Sequence, residues 1–311
     1  CLPEDVIFTS GATEANNLAI FSGIKLALKE NSEANVIVTS YLEHKSVLEP
    51  LKVIAKKLDL TIIYIDINKN GILDLVDLKQ KLFENQPIAE MSNLCQQYDV
   101  RLHVDASQAG YCDIDFHELD IDYLTISGHK IYGPTGIGLL ISKHLQNSEF
   151  EPMIYGGGQQ NGLRSGTLPT PLIVGLTKAV EILQEVKQNE TQQLAEIRSY
   201  LLRQLQAKFE VKVQGSLINR HPGNLHVSIQ GIDSLQLLNN LQPHIAFSLG
   251  SACNGLNRDY PSLMKEIGVD KDEFESSFRI TVGRMTTKEE IDFAIEKISQ
   301  FLKLEHSALR F

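Results

Sequence analysis

Ser127-Gly128-His129-Lys130 is the densest chemical constellation in the chain; it follows an apolar run and precedes Gly133-Pro134-Thr135-Gly136. A lysine in a glycine-rich turn at a strand end reaches the carboxyl edge of a sheet, where open α/β folds bind ligands. Partly desolvated there, its amine becomes a nucleophile able to form a Schiff base. A solvated surface lysine is the bland alternative. Upstream, His103-Val104-Asp105-Ala106-Ser107-Gln108 sets an aspartate at the tip of another apolar run. Such a carboxylate can keep a pyridine nitrogen protonated, as an electron-sink cofactor requires, or it can simply cap a helix.

Four further segments carry weaker signals. Phe8-Thr9-Ser10-Gly11-Ala12-Thr13-Glu14 reads as a strand, a tight turn and a helix start. The free N–H groups at that helix end and the Thr13 hydroxyl suit a phosphate, although an ordinary capped helix has the same composition. His44, in Leu42-Glu43-His44-Lys45-Ser46, can stack on a flat ring, move protons, or be a turn histidine. Cys253 stands among the small residues Gly250-Ser251-Ala252 and Asn254-Gly255. It is a nucleophile if its thiolate is favoured and an inert small apolar residue if not. Arg279 and Arg284 flank a late apolar run, and either could fork onto a substrate carboxylate.

These residues need elements to hold them. Apolar runs read as strands at 6–9, 36–39, 60–65, 101–104, 123–126 and 138–141, and amphipathic stretches read as helices at 13–30, 47–58 and 88–98. Strands apolar on both faces, alternating with helices, predict a parallel sheet covered by helices. Beyond about Leu172 the pattern changes. A long helix is expected over 173–209, then strands at 211–213, 224–229 and 278–282, a helix at 234–241, and a closing helix from Thr287, with Glu290 completing a capping box. We therefore expect a large α/β domain over residues 1–186 and a smaller α+β domain over 187–311.

Composition limits the partners. The chain has 311 residues, a net charge of −10 and 42% hydrophobic residues. An acidic surface repels phosphate backbones and anionic membranes, so neither nucleic acid nor membrane is expected as a partner. Cys1, Cys95, Cys112 and Cys253 form no CxxC pair or zinc-spaced cluster, which suggests neither a structural metal nor a disulfide framework and fits a reducing cytoplasm. The opening Cys1-Leu2-Pro3-Glu4 reads as the start of a piece of something longer.

Taken together, Gly11-Ala12-Thr13-Glu14, Glu43-His44-Lys45, His103-Val104-Asp105, Ser127-Gly128-His129-Lys130, Gly156-Gly157-Gly158-Gln159, Arg164-Ser165-Gly166-Thr167 and Gly250-Ser251-Ala252-Cys253 recur in a known order. The pattern resembles the group I cysteine desulfurases of NifS/IscS type, pyridoxal 5'-phosphate enzymes of the class V aminotransferase superfamily, over nearly the whole chain. The resemblance implies fold type I, with a mainly parallel seven-stranded sheet. It also implies Lys130 as the Schiff-base lysine, Asp105 on the pyridinium nitrogen, Gln108 on the phenolic oxygen and His44 stacked on the ring. Ala12, Thr13, Ser127 and His129 would hold the phosphate, with Thr167 reaching the phosphate of the other subunit of a homodimer. Arg279 would clamp the carboxylate of L-cysteine, and Cys253 would take its sulfur and pass it to an acceptor protein.

The chain departs from that pattern at three places. Family members carry an Asn-Asn-Glu strand and loop before the segment matching Gln86-Pro87-Ile88-Ala89, whereas here Leu82-Phe83-Glu84-Asn85 runs directly into Gln86. Residues closed up at this join are the expected cause. Gln160 replaces the usual Glu, and Asn254-Gly255 replace small hydroxyl residues. A selenocysteine lyase, or a non-catalytic sulfur-relay scaffold if the deletion is real, are the competing readings.

Overall fold

The computed structural model describes residues 1–65, 87–218, 220–249 and 269–308. The chain divides into two compact units within the helix that follows Thr170; among the described residues one unit holds 1–65 and 87–185, the other the remainder.

In the first unit, strand β1 (Val6–Thr9) leads into helix α1 (Ala12–Glu30), then β2 (Val36–Ser40), α2 (Lys45–Leu58) and β3 (Thr61–Ile65). Helix α3 (Pro87–Gln97), β4 (His103–Asp105), β5 (Tyr123–Ser127) and β6 (Gly138–Ser142) follow, and α4 (Thr170–Gln206) begins in this unit. Four strands form a sheet in the order β1-β6-β5-β4, and β2 pairs with β3 in parallel. β4 and β5 are parallel, while β6 is antiparallel to both β1 and β5. Strands β1, β5 and β4 therefore all run one way, and their carboxyl ends share one edge.

The sheet lies between helices because its strands are apolar on both faces. Ile7, Leu140 and Tyr123 meet Ala15, Leu18 and Leu26 of α1 on one face. On the other, Leu124 and Ile141 meet Ile88 and Met91 of α3, and Phe8 and Leu139 meet Leu176 and Leu183 of α4. Leu18, Leu26, Ile7 and Leu140 are 2% exposed or less. Each contributes about 1.5–3 kcal/mol by leaving water.

β1 is an edge strand, and an unpaired edge is a liability. Here a side chain closes it: Phe8 N–H donates to Gln160 Oε1 at 2.7 Å, and Gln160 Nε2 donates to Phe8 O at 2.9 Å. The amide imitates a partnering strand. A carboxylate at 160 could not donate to Phe8 O, which gives the Gln-for-Glu departure a structural reason.

The second unit carries the antiparallel sheet β7-β8-β9, with β7 Val211–Val213, β8 Asn224–Ile229 and β9 Ser277–Thr281. Helices α5 (Ser234–Leu241), α6 (Lys271–Glu275) and α7 (Lys288–Ala308) accompany it. Phe278, Leu225, Val227, Leu237 and Ile295 are all at most 1% exposed. The capping box expected at α7 is present: Thr287 Oγ1 accepts from Glu290 N–H at 3.2 Å, and Glu290 Oε2 accepts from Thr287 N–H at 2.9 Å.

Candidate active site

Because β1, β4 and β5 point the same way, their ends deliver the Gly11–Thr13 turn, Asp105 and Ser127–Lys130 to one sheet edge. Each segment turns sharply there for a local reason. Gly11 opens α1 with Ala15 N–H returning to Gly11 O at 3.2 Å, and Thr9 Oγ1 donates to Gly11 O at 2.9 Å. Ser10 N–H is held by Glu14 Oε2 at 2.8 Å, and Arg164 grips the same carboxylate with Nε at 2.7 Å and Nη2 at 3.1 Å. Burial pushes the Glu14 carboxyl up, but the bonds from Arg164 and Ser10 outweigh it and hold it below the usual carboxylate range.

After β5, Gly128–Ile131 forms a single 3-10 turn that carries His129 and Lys130, with Gly133 N–H returning to Gly128 O at 2.9 Å. A Cβ at Gly133 would stand 2.8 Å from that same carbonyl, so only glycine closes the turn. Ser127 is buried, and its Oγ lies 3.2 Å from His129 Nδ1. Lys130 and His129 are exposed, as are Thr13, Gln108 and Thr167.

Asp105 is held at both carboxylate oxygens. Its Oδ1 accepts from Ser107 N–H at 3.0 Å and from the Ser107 hydroxyl, and its Oδ2 accepts from Asn16 Nδ2 at 2.8 Å. The helix-cap alternative is thus replaced by a local turn in which Ser107 fixes one oxygen. His44 is the N-cap of α2, and its Nδ1 accepts from Ser46 N–H at 3.1 Å. Two ionisable neighbours flank the aspartate. Burial, with the Asp105 charge added to it, pushes the Glu43 carboxyl up to about 7. Burial pushes His103 down to about 4, against the opposing pull of Asp105.

This edge offers what pyridoxal phosphate needs. A primary amine stands in a tight turn, a carboxylate is fixed as an acceptor, and hydroxyl and imidazole groups (Thr13, Ser127, His129) sit beside a helix N-terminus. A close backbone approach keeps that cradle tight: a Cβ at Gly138 would stand 2.7 Å from Gly11 C. The residues present fit the cofactor. Among the described residues no group of three His, Cys, Asp or Glu could hold a metal.

Two expectations resolve differently in the second unit. Arg284 is not available to a substrate carboxylate, because Nε and Nη2 each donate to Glu190 at 2.7 Å, and Glu190 is 4% exposed. Arg279 sits in β9, where its backbone exchanges hydrogen bonds with Ser248. Cys253 and the Leu82–Gln86 join lie outside the described residues.

The sequence motifs assign no role to Asn16, Ser46, Ser107 or Glu43. A signal existed for two of them. Asn16 interrupts the apolar stripe of α1, and Ser107 stands two residues beyond Asp105, the spacing of a side-chain turn.

The aminotransferase class-V family model matches residues 2–86 and 84–293, two stretches that meet at the join singled out in the sequence. The cysteine desulfurase IscS of Ehrlichia chaffeensis is 39% identical over 96% of this chain and 77% of its own length. A solved NifS-like protein superposes with a TM-score of 0.84 at 28% identity, over 97% of this chain and 84% of that one. A structure described as SspA in complex with cysteine gives a TM-score of 0.74 at 30% identity, over 91% of this chain and 82% of that one. The chain belongs to the aminotransferase class-V family, and within it to the NifS/IscS-type cysteine desulfurases.

Proposed function

We propose that the chain is a pyridoxal phosphate-dependent cysteine desulfurase that converts L-cysteine to L-alanine and leaves the sulfur as a persulfide on Cys253. The observation that carries this reading is the meeting of the Gly11–Thr13 turn, Asp105 and Lys130 at one sheet edge.

Lys130 would hold the cofactor covalently, and Ala12, Thr13, Ser127 and His129 would hold its phosphate. Asp105 would keep the ring nitrogen protonated, Gln108 would bond the phenolic oxygen, and His44 would stack on the ring. Bound there, pyridoxal phosphate supplies an electron sink for the charge left at the substrate carbon. Arg279 would orient the substrate by forking onto its carboxylate. The Cys253 thiolate would attack the substrate sulfur; the new S–S bond forms as the carbon–sulfur bond breaks, and the carbon skeleton takes up a proton and leaves as alanine.

The same reading makes the protein a homodimer. Thr167 is exposed, and so are the large apolar residues Met153, Ile154, Tyr155 and Leu168 of the same stretch of chain, with Tyr155 76% exposed. An apolar surface of this kind suits a second copy, whose phosphate Thr167 would reach. An acceptor protein would then take the persulfide sulfur, for iron–sulfur assembly, tRNA thiolation or DNA phosphorothioation. A cytoplasmic setting fits cysteines that form no CxxC pair or zinc-spaced cluster in the sequence, and no described helix is long and apolar enough to cross a membrane.

The test uses purified protein with pyridoxal phosphate and L-cysteine. Cys253→Ala should keep the yellow bound cofactor but lose alanine release, and Lys130→Ala should lose covalent cofactor attachment. Full alanine production by Cys253→Ala would sink the assignment of the sulfur carrier. Release of alanine from selenocysteine alone would favour the lyase reading.

A further inference from the structure

Asn16 is 0% exposed, on the face of α1 that the sheet covers. Its amide nitrogen donates twice, to Asp105 Oδ2 at 2.8 Å and to Ser46 Oγ at 2.9 Å. A carboxylate can only accept, so the nitrogen end of the amide must face Asp105. The Ser46 hydroxyl, accepting from Asn16, has its own proton to give, and His44 Nδ1 lies 2.8 Å away. Ser46 N–H donates to the same nitrogen at 3.1 Å. A backbone N–H cannot accept, so Nδ1 is the acceptor and the ring proton sits on Nε2. The bonds therefore run in one direction from a single buried amide, one branch to Asp105 and one through Ser46 to His44.

That arrangement costs stability. With both amide hydrogens used, Asn16 Oδ1 has no partner among the described residues. An unpaired buried acceptor of this kind costs about 1–3 kcal/mol, which an apolar residue on this helix face would avoid. A sequence that keeps the amide at that cost is using it for something other than packing.

We propose that Asn16 is the positioning residue of this site, tying Asp105 to His44 so that the carboxylate stays an acceptor and the imidazole presents Nε2–H. The proposal rests on the reading of Asp105 and His44 as the residues that face the cofactor ring. No charge is needed on Asn16; its role is to set where two other groups carry their protons. The serine link gives the device a second, separable component, because Ser46 touches His44 and not Asp105.

The test compares the full chain with Asn16→Asp, which keeps the size but turns a donor into an acceptor, and with Ser46→Ala. Two quantities are read: the pyridoxal phosphate dissociation constant, and the ¹⁵N resonances of the His44 ring in histidine-labelled protein. Asn16→Asp should weaken pyridoxal phosphate at least about tenfold and shift the His44 Nδ1 resonance, because the Ser46 proton turns to the new carboxylate. Ser46→Ala should shift Nδ1 similarly while weakening the cofactor less. A folded Asn16→Asp with the parent dissociation constant or the parent Nδ1 resonance overturns the proposal. If Asn16→Asp does not fold, an unmoved Nδ1 in Ser46→Ala overturns it instead. Failure of the parent to take up pyridoxal phosphate would count against the reading of the site, while a protonated Nδ1 in the parent would refute the relay alone.

Discussion

Glu43 and His103 both stand near Asp105, and both are driven toward their neutral forms. Burial and the Asp105 charge raise Glu43 to about 7, and burial lowers His103 to about 4. The effect is that, below neutrality, Glu43 places no second full negative charge beside Asp105, and near neutrality His103 places no positive one there. The linkage has a definite sign for Glu43. Its folded value lies above its ordinary 4.5, so its contribution is complete below pH 4.5 and is lost as the pH rises through about 7. Glu43→Gln imitates the protonated acid. It should match the parent in stability near pH 5 and exceed it by roughly 1–3 kcal/mol near pH 8. Denaturant midpoints at the two pH values read this directly, and an equal gap at both would refute it. Neither residue could be singled out from the sequence as a charge regulator, since that property comes from what surrounds them and not from their own types.

At the scale of elements, periodicity located most of the fold. α1, α2, β7, β8 and α5 lie within two residues of the ranges expected, because an apolar stripe or run ends where a turn residue or cap stands. Strand direction was less legible. A buried strand reads the same in either direction, so the antiparallel course of β6 between β1 and β5 comes from the short return after Gly133, not from its own residues. The edge cap by Gln160 was also hidden, being a contact across 152 positions. β6 bears on the site through Gly138. A Cβ there would meet Gly11 C at 2.7 Å, Gly11 Cα at 2.8 Å and Ile126 O at 2.9 Å, all of them backbone atoms with no rotamer to escape into. Gly138→Ala should therefore lower stability by about 1–3 kcal/mol and loosen the turn that opens α1. Weaker phosphate binding in a still-folded variant is the expected result. Unchanged thermal stability together with unchanged pyridoxal phosphate affinity would show that the two backbones are free to part.

The whole molecule raises a question that one chain's residues answer only in part. Seven short motifs in order made the family legible, and the two-part family match at 84–86 falls where the sequence departs from it. The resemblance implied a second copy through Thr167; what periodicity could not mark is the surface it would cover, because the exposure of Met153, Tyr155 and Leu168 is visible only in the folded chain. If each site of a two-fold dimer borrows Thr167 from its partner, defects in Lys130 and Thr167 belong to different chains of the same site. Lys130→Ala removes the attachment point, and Thr167→Asp sets a carboxylate against the phosphate. Each variant alone should have no tight site. In a mixed dimer, the chain that keeps Lys130 faces a partner that keeps Thr167, so one site of the two is whole. Random exchange at equal amounts should restore about a quarter of the parent's covalently bound cofactor, because half the dimers are mixed and each has one intact site. Cofactor absorbance after co-refolding measures it. Recovery no greater than the sum of the separate variants, or a monomer by sedimentation, would mean that each chain builds its site alone.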